Sequence, residues 1–236
     1  MRNIYCSLNS SRQFLTCCGI SSNEFYVNSK EYLHNILLLK SDYVGIHCYK
    51  GFDALLGAEE IQSFFSTEDL RFGDFCFVDF LKAADLDMLT PTQISELLYA
   101  AHMKELLHDS FFPALQNHFI FLSHDDSNFI KLFYNQQSVV INILCKVIAS
   151  SFQQYNETTI APMPQTLVNT IFGLFEQGVI IKRSCLRSAG NIQRLSLYII
   201  GNIADMDFLI NNEAEAIATA VTSKTLVYGN QKWDII

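Results

Sequence analysis

Two six-residue runs near the middle of the chain constrain the fold more than any other feature. Residues 118–123 (HFIFLS) and 129–134 (FIKLFY) are separated by a connection containing Asp125, Asp126, Ser127 and Asn128. Asp and Asn favour tight turns because their side chains bond the local backbone and tolerate left-handed geometry. Each run is apolar on both parities, which predicts an antiparallel pair covered on both faces, inside a sheet rather than at its rim. Such a pair requires helices on both sides.

The flanking segments supply them. Thr90, Pro91 and Gln93 form a capping box with proline at the first helical position, so a helix is expected over 91–107. Its core face would carry Ile94, Leu97, Leu98 and Ala101. Helical spacing also marks 136–152, with Val139, Val140, Ile143, Leu144, Val147 and Ile148, and 165–176, with Leu167, Ile171, Leu174 and Phe175. The run 32–39 reads as a helix entering a core, and 52–65 as a second, with Leu55, Leu56, Ile61 and Phe64 on one side. Strands are expected at 43–49 and at the aromatic stretch 72–80, and a hairpin from 179–186 and 192–200 around Ser188, Ala189, Gly190 and Asn191. A helix over 212–222 and a short strand at 226–228 end the chain, while 1–31 carry no clear period. The polar, proline-interrupted segment 153–164 is the expected boundary. The pattern predicts an α+β fold: an antiparallel sheet flanked by helices over 1–156, then a smaller helix-plus-hairpin α+β region over 157–236.

Composition narrows the function more than it specifies one. Half of the 236 residues are apolar and 17% are charged, which excludes a disordered chain. Seven cysteines, odd in number and without a Cys-x-x-Cys, suggest reduced thiols rather than a disulfide scaffold. The first twenty residues lack a continuous apolar core, and no uninterrupted apolar stretch is long enough to span a membrane; a cytoplasmic, soluble protein is expected. The formal net charge is −8, yet between Asp53 and Asp126 fourteen acids face three bases. Between 178 and 204 the sign reverses, with Lys182, Arg183, Arg187 and Arg194 and no acid.

No Gly-x-Ser-x-Gly, P-loop or Gly-x-Gly-x-x-Gly occurs. The leading expectation is therefore a non-enzymatic interaction module without a cofactor. It would use an acidic surface including Asp85, Asp87, Asp125 and Asp126 to bind a basic protein partner, as antitoxins and immunity proteins do. A second reading is a metal-dependent hydrolase. His102, Glu105, Asp109, His118 and His124 fall within twenty-three residues, and imidazoles with carboxylates suit a divalent transition metal. A third is a DNA-binding regulator. The order of helix 165–176, basic strand and returning strand is similar to the end of a winged-helix domain, and this resemblance implies phosphate contacts from Lys182, Arg183, Arg187 and Arg194.

Overall fold

The computed structural model describes residues 1–40, 47–68, 70, 73–102, 111–124, 129–156, 159–203 and 206–236. In chain order the elements are β1 (Ile4–Asn9), β2 (Phe14–Cys18), α1 (Ser22–Ser29), β3 (Asn35–Lys40), β4 (His47–Tyr49), β5 (Phe52–Leu56), α2 (Gly57–Thr67) and β6 (Phe75–Phe80). A 3-10 segment (Ala83–Met88) leads into α3 (Pro91–Ala101), followed by β7 (Phe119–His124), β8 (Phe129–Tyr134), α4 (Gln137–Asn156) and α5 (Gln165–Phe175). The chain ends with β9 (Val179–Ile181), β10 (Arg187–Ala189), β11 (Ile192–Ile199), α6 (Met206–Asn211), α7 (Glu213–Ala218), β12 (Thr222–Gly229) and β13 (Lys232–Ile235). Antiparallel strand pairing with flanking helices makes this an α+β fold.

Two compact units are formed. One is continuous, residues 21–140; the other is split, residues 1–20 with 141–236. The division follows strand pairing rather than the polar segment at 153–164. β1 pairs antiparallel with β9, through Tyr5 and Ile180, and so joins the first residues to the last hundred. No local periodicity reports a pairing between partners about 175 positions apart.

In the continuous unit the sheet order is β8-β7-β6-β3-β5-β4. The β7–β8 hairpin forms as expected, with Phe121 opposite Leu132. Every residue of β6 is buried. One sheet face carries Phe75, Phe77, Phe119 and Phe121, and against it lie Phe25 of α1 and Phe64 and Phe65 of α2 in edge-on and stacked contacts. The helix expected over 32–39 is instead strand β3, hydrogen-bonded between β5 and β6. Its apolar run is too short to distinguish a buried strand from a buried helix by period. Likewise 52–56 forms β5, not the start of a helix. Lys50 and Gly51 adopt left-handed φ (54° and 90°) and reverse the chain between β4 and β5, so the helix begins only at Gly57.

The capping box on α3 is present: Thr90 Oγ1 accepts from Gln93 N at 3.3 Å, and Thr90 N donates to Gln93 Oε1 at 3.0 Å. The face of α3 is rotated from expectation. Leu97, Ala100 and Ala101 are buried together with Glu96, while Leu98 points out. The element ends at Ala101; positions 103–107 of the expected helix lie outside the described residues.

In the split unit the order is β13-β12-β11-β9-β1-β2, with β10 paired to β11. The expected C-terminal hairpin forms, interrupted by a 3-10 turn at Arg183–Cys185. The helix expected over 212–222 stops at Ala218, because Val221 N already bonds Ile199 O at 2.9 Å and β12 follows from Thr222. Phe152 of α4 packs edge-on against Trp233, whose Nε1 donates to Ala161 O at 2.7 Å. Among the described residues, no helix is long and apolar enough to cross a membrane.

Candidate functional site

The sheet register of the continuous unit gathers four chemically capable side chains. Lys40 on β3 lies opposite Cys76 on β6, and Phe75 opposite Ser123 brings the preceding Asp74 beside His124 at the end of β7. Asp74 and Cys76 share a sheet face because alternate residues do. His124 Nδ1 is 3.2 Å from Asp74 Oδ2 and its Nε2 is 3.5 Å from Cys76 Sγ. Asp74 Oδ2 is in turn 2.5 Å from Lys40 Nζ.

Thiol, imidazole and carboxylate in that order are the parts of a nucleophilic relay. The burial runs the other way. Cys76 is fully buried, and desolvation above all pushes its thiol up to about 12, with the Asp74 charge adding to the rise. A sealed, neutral thiol is a poor nucleophile. The arrangement therefore leaves Cys76 as a core thiol bonded to an imidazole. A water-soluble thiol reagent applied to the native protein at pH 8 should modify exposed Cys48 and spare Cys76, Cys17 and Cys145 until the chain is unfolded. Peptide mapping by mass spectrometry checks this, and rapid native labelling of Cys76 would show an activated thiol instead.

At the opposite end of β7 a second histidine has a structural role. Asp79, 2% exposed, accepts from His118 N at 2.9 and 3.0 Å, from Phe119 N at 2.9 Å and from His118 Nδ1 at 2.7 Å. The hydrogen bond to Asp79 raises the His118 pKa above its ordinary value, against a smaller lowering from burial. His118 and His124 are six strand positions apart, about 20 Å at the rise of a β-strand. They cannot share one metal ion. His102 is the exposed C-cap of α3, while Glu105 and Asp109 lie outside the described residues. The five residues of the hydrolase reading therefore do not form one site, and the described residues contain no group of three suitable ligands.

The acids of 53–126 divide by environment. Asp79 and Glu96 are buried, Asp74 is paired, and Glu60 Oε2 accepts from Leu56 N at 2.8 Å at the start of α2. Asp69, Glu105, Asp109, Asp125 and Asp126 lie outside the described residues. Asp87 is exposed and Asp85 half-buried on the 3-10 segment before α3. The same stretch of chain exposes Met88 (72%), Leu98 (47%) and Tyr99 (57%). Sequence periodicity assigned Leu98 to the core and gave no notice of this apolar surface.

Of the four basic residues, Arg183 is 4% exposed and bonded to backbone carbonyls, so it is not placed for phosphate contact. Lys182, Arg187 and Arg194 remain at the surface of the split unit. The signal for Asp79 was present in the sequence: one acid inside the apolar run FCFVDF must find donors if the strand is buried. Comparison with protein-family models, with curated proteins and with solved structures finds no match to this chain.

Proposed function

We propose that this protein is a non-enzymatic interaction module that binds a basic protein partner on the outer surface of residues 83–102. The observation carrying the reading is the exposure of Met88, Leu98 and Tyr99 in one short stretch that also presents Asp85 and Asp87. Exposed large apolar side chains and like-signed charges carried on one stretch of chain supply the two parts of a protein interface. The aromatic and aliphatic groups act as anchors, and the carboxylates steer a cationic partner and set its orientation. The opposite side of α3 is occupied by core packing through Leu97, Ala100 and Ala101, which leaves the outer side free for a partner.

The energetic division is unequal. Exposed charge pairs contribute about 0.2–1 kcal/mol each and mainly affect encounter, while a buried aromatic anchor contributes about 2 kcal/mol or more. Proteins captured from native lysate by the immobilised chain should therefore be lost from Tyr99→Ala. They should be retained, with reduced salt sensitivity, by Asp85→Asn with Asp87→Asn. Capture that is identical for wild type and all three substitutions would remove the reading.

A further inference from the structure

The strand register of the split unit places Lys182, Arg187, Arg194 and an aromatic ring on one sheet face. Arg187 of β10 lies directly opposite Arg194 of β11. Alternation puts Ser196 and Tyr198 on the Arg194 side of β11, and Lys182 reaches that side too, with Nζ 5.9 Å from the centre of the Tyr198 ring. The neighbouring strand β12 adds Val227, Thr225 and Ser223 opposite Arg194, Ser196 and Tyr198. The reverse side of β11 is closed, with Leu195, Leu197 and Ile199 buried.

Arg187 and Arg194 are both exposed, and among the described residues neither makes a salt bridge. Like charges directly opposite one another on a β-ladder are destabilising. On β13 the register brings to this face both Asp234, two strands away from Arg194 through Val227, and exposed Lys232, opposite Gly229, whose charges offset each other. An anion laid across the hairpin would relieve the repulsion.

We infer that this face binds single-stranded RNA. Its cations suit a phosphate backbone, Tyr198 offers a ring on which a base can stack, and the hydroxyls of Ser196, Ser223 and Thr225 suit 2′-hydroxyls. The geometry differs from a wing inserted beside a duplex: the contact surface is the sheet itself, and Arg183 takes no part in it. This inference is independent of the partner surface on residues 83–102, which belongs to the other unit.

Fluorescence anisotropy of a short unstructured RNA with the full chain tests it. Binding at low salt should weaken with a log–log slope of about −2, as expected for three neutralised phosphates on a single strand. Arg187→Glu with Arg194→Glu should lower affinity roughly tenfold or more. Tyr198→Ala should lower it about 5- to 150-fold while Tyr198→Phe retains it, because stacking needs the ring and not the hydroxyl. These substitutions are at exposed or half-buried positions, and circular dichroism verifies the fold. Absence of low-salt binding, or affinity unmoved by the double charge reversal, overturns the inference. So does a Phe variant as weak as the Ala variant, equal affinity for DNA of the same sequence, or displacement by heparin as ready as by unlabelled RNA.

Discussion

Asp79→Ala is expected to lower the stability of the continuous unit by about 3–5 kcal/mol. The carboxylate receives two backbone N–H groups and one imidazole nitrogen where β7 begins. Removal leaves at least two buried donors without an acceptor, each costing about 1–3 kcal/mol. Phe119 is fully buried, so water does not readily replace the lost acceptor. Urea unfolding of the wild type and variant reads the difference. Asp79→Asn keeps one acceptor oxygen and should recover part of the loss; if Ala and Asn variants were as stable as wild type, the anchor would have no energetic role.

The same contact gives stability a pH dependence with a definite sign. His118 has its pKa raised in the folded state by Asp79. Its charged form is therefore favoured by folding, and that contribution is complete below the ordinary histidine value of about 6.5. It is lost as pH rises through the folded-state pKa. His118→Gln should thus destabilise more at pH 6 than at pH 9, and partial exposure of the ring keeps the effect modest. A pH-independent difference between wild type and His118→Gln would show that the imidazolium does not stabilise the fold.

Elements with strong local signals were legible in the sequence, and elements defined by distant pairing were not. The Thr90–Gln93 box marked the start of α3 because capping is chemistry within four residues. The double-sided apolar pattern of 118–134 marked a central hairpin for the same local reason. β3 was unreadable because Ile36, Leu37, Leu38 and Leu39 are all buried, which removes the alternation that distinguishes a strand. β1 and β2 were missed because Cys, Ser, Thr and Asn interleave with apolar residues. One edge of this hairpin is nevertheless covered by β9, a partner remote in sequence. The sites were less legible than the fold. Clustering of histidines along the chain suggested convergence, whereas an extended strand carries His118 and His124 apart. The Asp74–His124–Cys76 contact depends on the register of β6 against β7, which no spacing within either strand encodes.

Arg183 illustrates the same limit for charge, and it carries the second large expected effect. In the sequence it is one of four cations in a basic stretch. In the fold its Nε donates to Arg2 O at 2.5 Å and its Nη2 to Gly19 O at 2.6 Å, so one side chain ties together the two strands at the open end of the β1–β2 hairpin. Backbone approach there is close: Gly19 has φ of +80°, and a Cβ on it would lie 1.8 Å from Asn3 O. Arg183→Met keeps apolar bulk but removes both donors. Hydrogen bonds to a charged group contribute about 1.5–3 kcal/mol each, so a loss of about 3–5 kcal/mol is expected. Arg183→Lys should fall between, because an ammonium lacks the planar fork that spans two carbonyls. Hydrogen exchange localises the effect: Arg183→Met should lose amide protection in β1 and β9 while β6 and β7 retain theirs. Unchanged protection in β1 would mean that the clamp does not hold the hairpin. If Arg183→Met instead left stability intact and weakened RNA binding, the guanidinium would belong to the basic face after all.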